Sequence, residues 1–198
     1  FMTVREDHRF SYDFLNRLDF AGRRVVVVDC LHRRENFGEK MVSIYRGIKR
    51  IAEDRPDIQM VVALHKNPEA REVALEVLGE VDPARVFVCE PMDYPEWVNL
   101  ISRAYLVISD SGGVQEEAPS LGAPVLLLRD TTERPEAIEA GTVKMVGADE
   151  ERIVFETERL LQDEAEHRRM ARAKNPYGDG HAAERIAVAL SGYFGSRV

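Results

Sequence analysis

The run Ser109-Asp110-Ser111-Gly112-Gly113-Val114-Gln115-Glu116-Glu117 gathers in one short span the groups that hold an anion and a sugar hydroxyl. It follows the apolar Leu106-Val107-Ile108, so it reads as a strand-to-helix turn with the helix starting at about Gly113. Two glycines at such a turn let a ligand approach the backbone closely, and the free N–H groups of the first helical turn point at it. That end of the helix dipole favours negative charge, which suits a phosphate. Ser111 can add a hydroxyl donor. Glu117, one turn into the helix, offers two acceptor oxygens that match the adjacent hydroxyls of a ribose. The same residues also suit an ordinary helix start, with Ser as the N-cap and a glutamate favoured by the dipole, and the spacing is not that of a P-loop.

Three more segments carry polar chemistry. His32-Arg33-Arg34-Glu35-Asn36-Phe37-Gly38 follows the strand expected over Val25–Asp29. Arg suits phosphate through paired N–H donors, and His32 can donate to a phosphate oxygen; an Arg-Glu surface pair is the bland alternative. Arg129-Asp130-Thr131-Thr132-Glu133-Arg134-Pro135-Glu136 follows another strand and leads into a helix with Pro135 in its first turn. Arg134 can therefore reach the same edge, unless this is a solvated charged loop. Pro91-Met92-Asp93-Tyr94-Pro95-Glu96-Trp97 contains the only Trp, whose flat face suits a base, although a lone Trp is more often core. His65-Lys66-Asn67-Pro68 and the turn Asn175 to Gly180 are weak signals, each fit simply to stop one element and start the next.

What would bring these segments together is a parallel sheet. Short β-branched runs, Val25–Asp29, Met60–Leu64, Val86–Cys89, Leu106–Ser109, Val125–Leu128 and Val143–Val146, alternate with stretches of helical periodicity. Several are apolar throughout, as expected of parallel strands covered on both faces. Met41, Ile44, Tyr45, Ile48, Ile51 and Ala52 recur at three- and four-residue intervals and make one apolar helical face. Further helices are expected near Glu69–Leu78, Glu96–Ser102, Val114–Leu121, Pro135–Ala140 and Glu151–Leu161. A polar stretch, Glu164–Lys174, precedes a closing helix over about Ala182–Phe194. The reading is a three-layer, Rossmann-like α/β domain with a mainly parallel six-stranded sheet, whose polar loops lie at the C-terminal strand edge where ligands bind in such sheets.

Composition limits the partners. Lys+Arg of 27 against Asp+Glu of 35 gives a net charge of -8 over 198 residues, which disfavours nucleic acid and anionic membranes and requires any anion to be held locally. Cys30 and Cys89 have no Cys or His neighbours at metal-ligand spacing, so no metal is expected and both thiols are expected reduced and buried. With no signal peptide and no apolar stretch of roughly 20 residues, a cytoplasmic location is expected. A Phe ahead of Met2 suggests a start inside a longer polypeptide.

Taken together, HRRENFGE at His32–Glu39, HKNP at His65–Pro68, SDSGGVQEEAPSLGAPVLLLRDTTERPEAIEAGT from Ser109 to Thr142, and NPYGDG at Asn175–Gly180 resemble the second, UDP-binding half of the non-hydrolysing UDP-N-acetylglucosamine 2-epimerases, members of the two-domain GT-B-like group. The resemblance covers about Val25 to Ile186. It implies that Ser111, Gly112 and Gly113 hold the diphosphate, Glu117 the ribose, and Arg134 the phosphate and sugar end of the ligand. By the same resemblance His32 is the catalytic-site member, Met92 and Trp97 contact uracil, and Arg33 and His65 match residues that contact a second UDP-GlcNAc as activator in some bacterial members. The implied reaction interconverts UDP-GlcNAc and UDP-ManNAc by elimination and re-addition of UDP, without cofactor, in a homodimer. The implied organisation is a helical or linker segment over 1–24, the UDP-binding domain over 25–174, and a turn and helix over 175–198 that packs on a first domain lying outside this chain. Cys30-Leu31 departs from the smaller or hydroxylated residues common before the family's His. Another GT-B enzyme, a glycosyltransferase or a hydrolysing epimerase, and a non-catalytic UDP-sugar-binding module are the competing readings.

Overall fold

The apolar runs become six strands because only a central sheet position buries both faces of a segment with no polar side. In the computed structural model, which describes residues 4–29 and 33–195, these are β1 (Arg24–Asp29), β2 (Ile58–Ala63), β3 (Val86–Cys89), β4 (Leu106–Ser109), β5 (Val125–Leu127) and β6 (Val143–Met145). Every pairing is parallel, in the order β3-β2-β1-β4-β5-β6. The expected mainly parallel sheet is therefore entirely parallel. β2 begins two residues earlier than its apolar run suggests, since Ile58 and Gln59 pair with Arg24 and Val25.

Alternate residues of each strand feed two separate cores. On one face Val26, Val28, Met60, Val62, Leu106 and Ile108 pack against α1 (Glu39–Asp54), α2 (Pro68–Leu78) and α6 (Glu150–Gln162). On the other, Val25, Val27, Val61, Val107 and Val125 meet α3 (Tyr94–Ile101), α4 (Gly112–Ser120) and α5 (Pro135–Ala140). The three-layer expectation follows from this alternation. Met41, Ile44, Tyr45, Ile48 and Ile51, the spaced apolar face of α1, are all buried.

Two further segments and one residue differ from their sequence expectation. The polar stretch after α6 contains a helix, α7 (Glu164–Ala171), started by Asp163, whose side chain accepts the N–H groups of Ala165 and Glu166. Its only buried residue is Met170, so the apolar period that marks a helix is absent and the cap carries the signal. Among the described residues, the segment ahead of β1 has a single 3-10 turn, Leu15–Arg17, yet Phe10, Leu15 and Leu18 are buried in the second core. It is pinned by His8 and Ser11 on Glu96, at 3.1 and 3.0 Å, and by the Asp19 N–H on Gln59, at 2.7 Å. Cys89 is half-buried rather than buried, and burial pushes its thiol up to about 12.

The closing helix, α8 (Ala182–Gly195), has no buried residue. Ile186, Val188, Leu190 and Phe194 are 58, 73, 51 and 62% exposed, a concentration of apolar side chains in water unlike the scattered ones normal on a surface. No helix among the described residues is long and apolar enough to cross a membrane.

Candidate nucleotide-sugar site at the sheet switch point

Chain order reverses between β1 and β4, which lie side by side with Asp29 opposite Ser109. Loops leaving these two strands diverge to opposite faces, and the crevice between them is where open parallel sheets bind ligands. The glycine turn leaves β4 at this point. Ser109 and Asp110 are fully buried; the Ser109 hydroxyl accepts the Ser111 N–H at 3.0 Å and lies 3.4 Å from the Asp29 carboxylate. α4 opens at Gly112, one residue before the expected start. Ser111 takes the N-cap position in an extended conformation, but its hydroxyl makes no capping bond and the first turn has no acidic residue. The ordinary helix-start reading required both.

The two glycines have different surroundings. A Cβ built on Gly112 would lie 2.8 Å from Arg134 Nη1 and 3.1 Å from Cζ, so the guanidinium rests against the first residue of α4. At Gly113 it would meet only Ser111 Oγ, at 4.0 Å. Within the chain the first glycine is crowded by the far end of a flexible side chain, whereas the second has only an ordinary contact.

Arg134, 17 residues beyond Glu117 in the sequence, reaches this turn from the loop after β5. Its Nε donates to Glu116 and its Nη1 to Glu133 at 2.9 Å. Glu133 also accepts from Arg129 at 2.6 Å and lies 3.9 Å from Arg33 Nη2. Its own backbone N–H, with Arg129 and Arg134, holds the Glu133 carboxyl below the usual carboxylate range against the opposing effect of burial. Arg129 is nearly buried and ties Glu35 to Glu133, so its role is to brace two loops. Arg33 is fixed by its backbone N–H on Asp110 Oδ2 at 3.0 Å and its Nε on the Asp110 carbonyl at 3.3 Å.

Glu117 is half-buried, and burial pushes its carboxyl above the usual range; a hydrogen bond from Trp97 opposes this, and neighbouring Glu116 adds to it. Trp97 and Met92 are half-buried against the second core. Tyr94 stands near enough to Glu117 that its phenol is raised, by burial first and then by this charge. Trp97 therefore packs on the core and also sits beside the carboxylate. His65, at the end of β2, accepts the Asn67 N–H on Nδ1 at 3.1 Å. His32 lies outside the described residues.

Asn36, Asp110, Gln115 and Thr132 carry no site signal of their own in the sequence. Asn36, 2% exposed, donates to Asp110 Oδ2 at 3.2 Å and to the Leu128 carbonyl at 3.0 Å, locking the β1–α1 loop to the ends of β4 and β5. Gln115, fully buried, bridges the Ser111 carbonyl and Thr132. Nothing local to the chain marks these pairings, which cross up to 92 residues. Asn175 donates to the Glu116 carbonyl at 3.3 Å, so the Asn175–Gly180 turn also rests on α4. Among the described residues no group of three or more His, Cys, Asp or Glu could hold a metal ion.

The chemistry available is definite. A helix N-terminus, a guanidinium and a hydroxyl meet at one end, which suits a diphosphate; an acceptor carboxylate beside two aromatic rings stands at the other, which suits a ribose and a base.

Known proteins match this chain along most of its length. The family model described as UDP-N-acetylglucosamine 2-epimerase matches residues 3–191. A UDP-N-acetylglucosamine 2-epimerase of Escherichia coli (strain K12) is 52% identical over 187 residues, 94% of this chain and 48% of that protein. Among solved structures, the S. aureus MnaA-UDP co-structure superposes with a TM-score of 0.88 at 37% identity, over 98% of this chain and 51% of the other. The Neisseria meningitidis UDP-GlcNAc 2-epimerase bound to UDP-GlcNAc gives 0.80 at 43% identity, over 85% of this chain and 44% of the other. The chain spans about half the length of the curated relatives it matches.

Proposed function

This chain belongs to the UDP-N-acetylglucosamine 2-epimerase family, and on that premise we propose that it is the UDP-binding half of a non-hydrolysing, GT-B-like enzyme that interconverts UDP-GlcNAc and UDP-ManNAc. The observation that carries this reading is the Arg134 guanidinium seated against Gly112 at the start of α4, with Gly113 open beside it. Ser111, Gly112 and Gly113 take the diphosphate, Arg134 its outer phosphate and the sugar end, Glu117 the ribose hydroxyls, and Met92 and Trp97 the uracil. Arg33 and His65 take a second UDP-GlcNAc as activator, and His32 serves the reacting end.

In the reaction a carboxylate of the other half removes the C2 proton, the C1–O bond to UDP breaks, and a C1=C2 double bond forms. UDP then returns to C1 as a proton enters C2 from the opposite face. No carbonyl adjoins C2, so charge accumulates on the departing diphosphate. Fixed donors already aimed at it lower that barrier, with a single oxyanion-hole donor worth roughly 3–4 kcal/mol in other enzymes. This half stabilises the leaving group. The apolar side chains of α8 dock on the other half, with boundaries near residues 24 and 174, and the whole enzyme is a cytoplasmic homodimer.

The isolated 198-residue chain is expected to bind UDP in a calorimetric titration and to show no conversion of UDP-GlcNAc, because the acid and base at C2 are elsewhere. UDP-ManNAc should form only with the longer polypeptide. Free ManNAc or a glycosylated acceptor as its product would overturn the assignment.

A further inference from the structure

We propose that Thr132 and Gln115 are positioning residues for Arg134, a role that rests on the reading of this turn as the diphosphate seat. Gln115 Nε2 donates to the Ser111 carbonyl at 3.2 Å, and its Oε1 accepts the Thr132 hydroxyl at 2.8 Å. Thr132 Oγ1 in turn accepts the Arg134 backbone N–H at 3.1 Å. The Arg134 guanidinium returns to Gly112, the residue after Ser111. The contacts close a circuit that fixes both ends of the arginine relative to the glycine turn.

Each member has a chemistry its neighbours in the circuit demand. Gln115 must donate and accept from one planar group, which a carboxylate cannot do; Thr132 must accept from Arg134 and donate to Gln115, which a single hydroxyl can. Pro135 opens α5 and has no N–H, and the Arg134 N–H just before it carries the tie to Thr132. The tie matters because the guanidinium is also held by Glu116 and Glu133. With its backbone loose, a long side chain between two carboxylates would adopt other geometries, and a diphosphate would have to reorder it on binding.

The test is a cycle of variants of the 198-residue chain, each titrated with UDP and each melted thermally. Thr132→Val removes the hydroxyl at nearly constant shape and is expected to weaken UDP about tenfold, the scale of one lost hydrogen bond in this role. Thr132→Ser should stay within about twofold of the parent, and in an Arg134→Ala background Thr132→Val should change affinity by less than about twofold, as coupled residues do. Undiminished UDP affinity in Thr132→Val overturns the proposal. So does a tenfold loss that persists without Arg134, which would make Thr132 a general support of the loop. If Thr132→Val does not fold, Thr132→Ala takes its place with the same criteria. A parent chain that binds no UDP fails differently, since it removes the diphosphate reading and this inference with it.

Discussion

Gly113→Ala separates a glycine kept for folding from one kept for a ligand. The added methyl would meet only Ser111 Oγ, at 4.0 Å, an ordinary contact, and the residue lies in the first turn of α4 without a positive φ. Alanine in a compatible helical position restricts the unfolded chain, so folding stability should rise by up to about 1 kcal/mol. For a domain of this size that shifts Tm by roughly 2–4 °C. Binding should move the other way. The methyl occupies the side from which a phosphate approaches the backbone, and loss of one charge-assisted hydrogen bond costs about 1.5–3 kcal/mol, roughly 10- to 150-fold in Kd. Gly112→Ala is the contrast: its methyl collides with Arg134 Nη1 at 2.8 Å, the far end of a flexible side chain, which swings aside at little cost to the fold while UDP affinity again falls. Calorimetric titration with UDP, beside thermal melts, reads both. A folded Gly113→Ala chain with undiminished UDP affinity refutes the phosphate assignment. A Tm lowered by several degrees shows that the glycine serves the backbone.

Other expectations follow from the same contacts. Because burial raises the Glu117 pKa, its ionised form opposes folding above that pKa, and the cost is relieved as pH falls through it; over the same fall the protonated group loses acceptor charge for the ribose. UDP affinity should therefore weaken as pH falls through that raised pKa, and Glu117→Gln should retain only the slope due to the phosphate itself, so an identical pH profile in both chains argues against the ribose role. Asn36→Ala removes donors from Asp110 Oδ2 and the Leu128 carbonyl, and should cost about 1–3 kcal/mol in urea denaturation; a change below about 0.5 kcal/mol would mean water replaces it freely. Ending the chain after His181 removes α8, which has no buried residue. Tm should stay within about 2 °C and UDP affinity unchanged, whereas a large drop would place α8 in this domain's own fold.

By itself the sequence determined what depends on near neighbours along the chain. Apolar runs without a polar face, such as Val25–Val28, specify buried parallel strands, and the apolar period of Met41 to Ala52 specifies α1. Two glycines after Leu106–Ser109 mark a strand-to-helix turn, with the Glu117 carboxylate in the helix that follows. Asp163 shows where that legibility stops, since a side-chain cap rather than an apolar period starts α7. Tertiary structure alone decided which groups meet: Arg134 against Gly112, Trp97 on Glu117, Asn36 on Asp110, Gln115 on Thr132. It also decided that α8 has its apolar side chains in solvent. Hydrophobic periodicity is read along one dimension and survives without knowledge of the fold, whereas a hydrogen bond depends on a separation of about 3 Å between groups that the order of strands, and not their order in the chain, brings together.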